Sequence, residues 1–267
     1  MNNLPSFTIS KRQIGDYSIW GADSWWADGI AHGFMGAEFN AIEDNLQFIS
    51  SVGPVLGFKQ LLLLNQVHKT AIVDGDYSFP ASVKGETKNS CAEGDGWFLK
   101  VPENSAAYGF AYGIKTADCV PVLILDRFRK FGMALHCGWR GTVNGIVDVA
   151  IRKFRSLNVE AKDLEVLIGP AARSCCYEIG PEVVVDFERV ARELQIDFHE
   201  ILGDGKNEKT DHKMVDVPKL LQLQLLKFGV PLSHQVLLPL CTVCDHRFFS
   251  FRRQGDCSGR QLTFIVG

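Results

Sequence analysis

Three side chains of metal-ligand type lie at the ends of apolar runs. His68 follows the run LLLLNQV, Cys119 precedes VPVLIL, and His136 follows FGMAL. Residues at strand ends are held by rigid elements and can face a shared cleft. Two imidazoles and one thiolate suit zinc, and three protein ligands leave a fourth position open, as in catalytic zinc sites. The alternative is that the histidines are hydrogen-bonded side chains and Cys119 a small buried residue, because ligands so far apart form no local motif.

The segment that follows His136 combines features of an anion site. A helix is predicted from about Thr142, and the N-terminus of a helix favours anions. Arg140 lies beside that end and can bind a phosphate or carboxylate through two nitrogens. Gly138 and Gly141 allow a ligand to approach the backbone closely. The alternative for Arg140 is a surface salt bridge.

Other groups have several interpretations. Asp118, next to Cys119, is a candidate general base, a partner of a metal ligand, or a turn residue. The CxxC segment Cys241–Cys244 is a candidate metal site or redox pair, although packing thiols are the plainer interpretation. Adjacent cysteines rarely bridge each other, so Cys175 and Cys176 are expected in or near the core.

Short apolar runs predict the strands, and a 3.6-residue period predicts the helices. The predicted strands are 61–64, 71–73, 107–111, 120–125, 131–135, 164–168, 235–238, 248–251 and 262–266. The predicted helices are 142–157, 181–196, 216–229 with Asp216 as N-cap and Gly229 as C-cap, and more weakly 38–52. The polar stretch 80–96 is expected to be a loop. This irregular alternation indicates an α/β or α+β fold with a mixed sheet, and we expect one domain over residues 1–267.

Composition excludes several classes of protein. Hydrophobic residues make up 46% of the chain and charged residues 22%, which is ordinary for a globular protein. The net charge of −3 argues against a nucleic-acid partner. No apolar run approaches the roughly 20 residues of a membrane span, and the first residues lack a signal-peptide pattern. We therefore expect a cytoplasmic protein whose eight cysteines pack, bind metal or react rather than form disulfides.

The order of several short motifs resembles that of one known family, the YfiH family, whose members also carry the labels laccase domain, purine nucleoside phosphorylase and peptidoglycan editing factor. The resemblance runs from about His32 to Val266. It rests on these phrases: Asn-Gln-Val-His68, Thr-Ala-Asp-Cys119, His136-Cys-Gly-Trp-Arg-Gly141, Ile168-Gly-Pro170, Cys176-Tyr-Glu178, Cys241-Thr-Val-Cys244, Phe249-Ser-Phe-Arg-Arg253 and Gly259-Arg-Gln261.

The resemblance implies a layered α-β-β-α domain similar to the cysteine-histidine domains of deamidating toxins. It implies a zinc site formed by His68, Cys119 and His136. Substrate-binding candidates are Arg140, Gln66 and Phe34. The chain departs from the family pattern at Lys69, where a glycine is usual, and in the loop after Phe34.

The function implied by the resemblance is zinc-dependent phosphorolysis of purine nucleosides such as adenosine, inosine and methylthioadenosine, with deamination of adenosine. Phosphate is expected near Arg140, where its charge would favour cleavage of the glycosidic bond. Catalytic candidates are Asp118, for proton transfer, and Cys119. The expected partners are therefore purine nucleosides and phosphate.

Three other functions use the same residues. The first is a cysteine or zinc amidohydrolase that edits peptidoglycan precursors, with Cys119 as nucleophile and His136 as base. The second is copper-dependent oxidation of phenols, which seven histidines without a His-x-His pair do not favour, although soft N/S sites bind copper in vitro. The third is a non-catalytic binding module, which the open metal position disfavours.

Overall fold

The structure is a computed structural model that describes residues 8–41, 43–75, 92–102, 109–203 and 211–267. Cys91 lies outside the described residues. So do most of the loop predicted at 80–96 and the first part of the strand predicted at 107–111.

The first sheet has six strands, in the order β1-β2-β3-β14-β7-β4. All neighbours are antiparallel except β4 and β7, which are parallel. These strands are β1 (Ile9–Ile14), β2 (Tyr17–Ala22), β3 (His32–Met35), β4 (Gln60–Leu63), β7 (Phe110–Thr116) and β14 (Gln261–Val266).

The second sheet also has six strands, in the order β13-β10-β8-β9-β6-β5. The two edge pairs, β13 with β10 and β5 with β6, are parallel, and the inner pairs are antiparallel. These strands are β5 (Ile72–Asp74), β6 (Gly96–Lys100), β8 (Val120–Asp126), β9 (Phe131–Cys137), β10 (Leu164–Ile168) and β13 (Gln235–Leu237). A short separate ladder joins β11 (Glu178–Ile179) to β12 (Lys213–Met214).

The structure has seven α-helices within the described residues. They are α1 (Asp23–Ala27), α2 (Asn45–Leu56), α3 (Trp139–Val143), α4 (Ile146–Arg155), α5 (Pro181–Glu193), α6 (Val217–Lys227) and α7 (Phe251–Gln254). None of the helices in the described ranges is long and apolar enough to span a membrane.

Three clusters of buried apolar side chains define the layers. One cluster joins the outer face of the second sheet to α4, α5 and α6, for example through Ile151 and Phe187. The second lies between the sheets, where Ile114 of the first sheet packs with Trp97 and Leu123 of the second. The third places Phe48 of α2 against the first sheet. The order of layers is helix, sheet, sheet, helix, and the predicted fold class is confirmed.

Most predicted strands exist, but not all. β4, β5, β8, β9, β10, β13 and β14 lie where they were predicted, whereas β7 begins only at Phe110. β1, β2, β3 and β6 and the two short strands β11 and β12 were missed. The prediction of a strand at 248–251 is wrong, because Ser250 caps the short helix α7 by accepting a hydrogen bond from the Arg253 amide at 3.2 Å.

The predicted helices also need corrections. α6 begins after Asp216, whose carboxylate accepts from the Lys219 amide at 2.9 Å, so the predicted N-cap is confirmed. Its C-cap is Phe228 rather than Gly229. The helix predicted at 142–157 begins earlier, at Trp139, and is interrupted at Gly145, whose φ of 87° is left-handed. The helix predicted at 38–52 lies further on, as α2.

Candidate metal centre and active-site cavity

Neighbouring antiparallel strands place Cys119 and His136 together. β8 pairs with β9 so that Val120 lies opposite Cys137 and Pro121 opposite His136. Cys119, just before β8, and His136, near the end of β9, therefore meet at the same edge of the second sheet. His68 joins them from the loop after β4, with its Nε2 4.0 Å from the Cys119 Sγ.

The three side chains fit a metal ion. Their ligand atoms all lie within 4.8 Å of one another. Zinc bonds of about 2.0–2.3 Å in a tetrahedron separate neighbouring ligand atoms by roughly 3.5 Å, so small rotations of these side chains suffice. The group His68, Cys119 and His136, which the sequence predicted as metal ligands, could therefore hold one metal ion.

A buried carboxylate, which the sequence analysis missed, positions both histidines. Asp95 is fully buried and accepts from the His136 Nδ1 at 2.8 Å, leaving the Nε2 of that ring for a metal. It also accepts from the backbone N–H groups of His68, at 2.9 Å, and Lys69, at 2.7 Å. A carboxylate behind a ligating histidine fixes the ring orientation and makes the ligand more basic. The signal in the sequence was an acid directly before the apolar strand Gly96–Lys100.

The electrostatics of the group favour an ionised thiol. Burial raises the pKa of the Cys119 thiol, but the His136 cation and hydrogen bonds from both histidines outweigh it and bring the pKa to about 6. Burial lowers the pKa of His136, but the Cys119 thiolate and the Asp95 carboxylate outweigh it and raise the pKa to about 9. Thiolate is the form of cysteine that binds a metal ion.

Asp118 shapes the turn that carries Cys119. Its φ is 84°, in the left-handed region that costs a residue with a side chain about 1–2 kcal/mol. Its carboxylate accepts from the Thr242 hydroxyl at 2.7 Å, the Ser250 hydroxyl at 3.0 Å and the Arg252 amide at 2.6 Å. These bonds hold the strained turn in place and occupy both carboxylate oxygens.

His68, Cys119 and His136 form part of the wall of a cavity of about 630 Å³. Cationic side chains line the cavity, and they are Lys115, Arg140, Arg252 and Arg260. Asp118 also lines it, but with its oxygens occupied as described. Burial and the neighbouring Arg260 lower the pKa of Lys115, as expected where positive charges gather. The cavity therefore suits an anionic group bound close to the metal ligands.

Arg140 lies at this cavity, but not beside the N-terminus of a long helix. It is in the first turn of the five-residue helix α3, so the predicted combination with a helix starting at Thr142 is wrong. The guanidinium carbon lies 4.4 Å from the centroid of the Trp139 ring, a cation–π contact. Among the described residues no carboxylate forms an ion pair with Arg140, so the predicted alternative of a surface salt bridge has no support there.

Two predicted substrate residues have other contacts. The Gln66 side chain donates to the Lys115 carbonyl and accepts from the Lys115 amide, both at 2.8 Å, although it still lines the cavity. Phe34 is 1% exposed in the core between the sheets and lies outside the cavity wall. The structure therefore does not bring Phe34 to the site, because β3 directs its side chain inward. Lys69 does not line the cavity, and its amide is held by Asp95.

Gly138 leaves room for the ligands, and we expect a methyl group there to disturb them. A Cβ at this position would lie 2.9 Å from the His68 ring and 3.4 Å from the Cys119 Sγ. Gly138→Ala should weaken metal binding by about 10-fold or more, since displacing ligand geometry has effects of that size. The measurement is a competition titration with a chelator. Gly109→Ala is the matched control, because no atom of the described residues lies within 4 Å of a Cβ built there. Equal affinities of the two variants would contradict the expectation.

Comparison with known proteins identifies the family. The family model for multi-copper polyphenol oxidoreductase laccase matches residues 35–267. The chain belongs to this family. The YfiH resemblance seen in the sequence is thereby confirmed, and two solved structures share the fold of this family member. The first is YfiH of Bacillus licheniformis, which has a TM-score of 0.77 and 22% sequence identity and covers 95% of this chain and 97% of its own. The second is YlmD of Geobacillus stearothermophilus, which has a TM-score of 0.76 and 23% sequence identity and covers 97% of this chain and 98% of its own.

Curated relatives of this laccase-family chain have enzyme names. A purine nucleoside phosphorylase of Clostridium acetobutylicum is 36% identical over 58% of this chain and 61% of its own length. Another purine nucleoside phosphorylase, of Bacteroides thetaiotaomicron, is 35% identical over 59% of this chain and 57% of its own length. An adenosine deaminase, RL5, from an unknown prokaryotic organism is 31% identical over 59% of this chain and 58% of its own length. The chain thus aligns with roughly three fifths of the length of these relatives.

Proposed function

We propose that this chain is a zinc-dependent purine nucleoside phosphorylase that also deaminates adenosine, that residues 1–267 form one catalytic domain, and that it acts in the cytoplasm. The observation that carries the proposal is the His-Cys-His group in the wall of a cationic cavity. The cavity volume of about 630 Å³ falls in the usual range for small-molecule sites. The names of the relatives in Clostridium and Bacteroides supply the substrate class, and RL5 supplies the deaminase activity.

Zinc suits the donor set better than harder ions do. Two imidazoles and one thiolate are ligands of borderline softness, and three ligands leave one position open. When bound, zinc supplies a Lewis acid and lowers the pKa of coordinated water, which deamination requires. His68, Cys119 and His136 would hold the ion, and Asp95 would keep the His136 ring oriented for it.

The cationic residues would bind phosphate for phosphorolysis. A phosphate oxygen forms a bond to the anomeric carbon of the ribose, the glycosidic C–N bond breaks, and the purine leaves with the electron pair and takes up a proton. Positive charge grows on the sugar in this step, so an anion held beside it by Arg140 and its neighbours lowers the barrier. Arg140 suits this role because its guanidinium offers a planar pair of donors.

The roles of the acids differ in our proposal. Asp95 acts through His136 and is a positioning residue. Proton transfer by Asp118 stays a prediction, and its three hydrogen-bond donors favour a positioning role for it as well. Among the lining residues, Gln66 would act through its bonds to Lys115.

A product assay tests the proposal. Zinc-loaded protein is incubated with inosine in the presence and absence of inorganic phosphate, and ribose-1-phosphate and hypoxanthine are quantified. We expect both products to form in equal amounts and only with phosphate. Release of hypoxanthine that does not depend on phosphate and yields no ribose-1-phosphate, or no turnover of any purine nucleoside, would refute the phosphorylase.

Arg140→Ala should weaken the use of phosphate while metal content stays unchanged. Loss of a charge-assisted hydrogen bond costs about 1.5–3 kcal/mol, so we expect the KM for phosphate to rise about 10- to 100-fold. Steady-state kinetics with varied phosphate measure this. Arg152→Ala is the control, because Arg152 forms a surface ion pair with Asp148 at 2.9 Å and does not line the cavity. An unchanged phosphate dependence would assign Arg140 to structure.

A second candidate function has its own observation. Cys119, His136 and Asp95 follow one another as nucleophile, base and orienting acid do in cysteine hydrolases, with the His136–Asp95 bond at 2.8 Å. The substrate would then be an amide, such as a peptidoglycan precursor. Zinc occupancy separates the two functions, since a thiolate bound to zinc is a poor free nucleophile.

A further inference from the structure

Four cysteines outside the proposed catalytic site come together in the folded chain. They are Cys175 and Cys176 in the turn after β10 and Cys241 and Cys244 in the turn after β13. All four sulfurs lie within 4.8 Å of one another. Cys175 is exposed and Cys176 partly buried, so the prediction that this pair lies in or near the core is wrong for Cys175. The CxxC motif does have a second pair of thiols beside it, one that sequence spacing did not reveal.

We propose that these four thiols form a second metal site, a closed tetrahedral site for one zinc ion. Zinc–sulfur bonds of about 2.3 Å place the sulfurs of a tetrahedron roughly 3.8 Å apart. Here the Cys176 and Cys244 sulfurs are 3.1 Å apart, and those of Cys175 and Cys244 are 3.6 Å apart. The sulfurs therefore already surround a volume of the right size for a single ion. Four thiolates and no open position are typical of a structural zinc site.

Backbone groups surround the Cys241 sulfur, and hydrogen bonds brace the CxxC turn. The backbone N–H groups of Cys244, Arg173 and Val243 donate to the Cys241 sulfur. Hydrogen bonds of this kind stabilise coordinating sulfurs and tune the metal. Arg253 braces the same turn, donating to the carbonyls of Thr242 at 2.7 Å and Val243 at 2.8 Å. Its positive charge also offsets part of the net negative charge that four thiolates leave around a divalent ion.

The two turns are linked by backbone hydrogen bonds, and the ion has a route of entry. Ala171 pairs with Cys241 in a parallel bridge, and the Thr242 amide donates to the Ala171 carbonyl at 3.1 Å. Because Cys175 and Cys244 are exposed, the ion can reach its ligands from solvent. Ligand identity, spacing, supporting hydrogen bonds and an entry path are the features that a metal site must show.

Disulfide chemistry fits less well. The sulfurs of Cys176 and Cys244 are 3.1 Å apart, whereas a disulfide bond is about 2.05 Å long. One disulfide would also leave two further thiols crowded against it without a partner. A cluster of several irons holds its thiolates further apart than one ion does, so the short distances also favour a single ion.

The second site lies behind the wall of the cavity. Thr242, between the two cysteines of the CxxC motif, donates to Asp118, and Tyr177, directly after Cys176, lines the cavity. A metal ion here would tie together the two turns that support Asp118 and Tyr177. This inference does not rest on the proposed function, because it concerns metal content and not turnover.

Metal analysis of variants tests the proposal. Protein purified with reductant is analysed by elemental mass spectrometry for zinc and iron per chain. The double variant Cys241→Ser/Cys244→Ser should hold about one zinc fewer than the wild type, since a four-thiolate site does not survive loss of half its ligands. Cys257→Ser is the matched control, an exposed cysteine outside the cluster, and should keep the full content. This difference in zinc content does not depend on the metal bound by His68, Cys119 and His136, because the double variant leaves those three residues unchanged.

A second measurement covers failure of the double variant to fold. Cys119→Ser protein is freed of zinc and loaded with Co²⁺, so that the His68 site contributes no thiolate. We expect the strong near-ultraviolet thiolate-to-cobalt absorption of a tetrahedral thiolate site. The proposal would be overturned if this absorption is absent, or if the double variant and the wild type hold equal zinc. It would also be overturned if the protein holds iron in place of zinc, or if the unreduced protein has lost two free thiols.

Discussion

Cys119→Ser is expected to remove the metal and the activity together. Cys119 supplies one of three ligands, and its thiolate is a far better zinc ligand than a serine hydroxyl. Metal affinity should fall by more than about 100-fold, because even the loss of a residue behind a ligand costs 10- to 100-fold. Zinc analysis and the inosine phosphorolysis assay on the same preparation measure both effects. Chelation of the wild-type protein should likewise inactivate it, and added zinc should restore the activity.

The opposite result would identify a cysteine hydrolase. If Cys119 is a nucleophile in a metal-free site, chelated protein keeps its full activity. An electrophile that resembles an amide substrate would then trap Cys119 covalently. Cys257→Ser serves as the control for the loss of a thiol, because Cys257 is exposed and lies apart from both groups of ligands.

Asp95→Asn should weaken metal binding and destabilise the fold. An amide retains the size of the carboxylate but presents N–H to donors that need an acceptor. We expect metal affinity to fall about 10- to 100-fold, as for other partners of ligating histidines. The free energy of unfolding should fall by about 1–3 kcal/mol, the usual cost of buried donors left without an acceptor. Chelator competition and urea denaturation provide the two measurements.

Asp126→Asn is the matched control for this prediction. Asp126 is also fully buried and is the last residue of β8, at the end of that strand away from Cys119. Its carboxylate accepts from the amides of Phe128 at 2.9 Å and Lys130 at 2.8 Å. Its replacement should lower stability to a similar extent without changing metal affinity. A similar loss of metal affinity in both variants would mean that Asp95 acts through general stability and not through His136.

The sequence was sufficient to predict that His68, Cys119 and His136 come together, because the position of a residue at a strand end depends mainly on where the apolar run stops. It was insufficient for residues whose role depends on pairing across the fold. Asp95 reaches the His136 ring because β6, the strand directly after it, pairs with β9, where the His136 amide donates to the Asp95 carbonyl at 2.7 Å, and no local pattern encodes this pairing. The approach of Cys175 and Cys176 to the CxxC turn depends in the same way on the parallel pairing of β10 with β13.

Tertiary contacts also explain the wrong predictions. The aromatic run at 248–251 has strong strand propensity, yet Ser250 and the Arg252 amide bind Asp118, and the chain turns into α7 there. The family resemblance made Phe34 a substrate-binding candidate. Its position on β3 directs it into the core between the sheets, and a single sequence does not distinguish the two faces of such an apolar strand.

The hydrogen bonds to Asp118 have a consequence for the order of folding. Their donors, Thr242, Ser250 and Arg252, lie 124, 132 and 134 residues further along the chain. Closing such long loops is slow, and during synthesis the N-terminal part of the chain emerges first. The candidate ligands His68, Cys119 and His136 are thus made first. The hydrogen-bond donors that hold the turn of Cys119 follow only with residues 242–252. We therefore expect the candidate ligands to take up a metal ion only after Arg252 has been made.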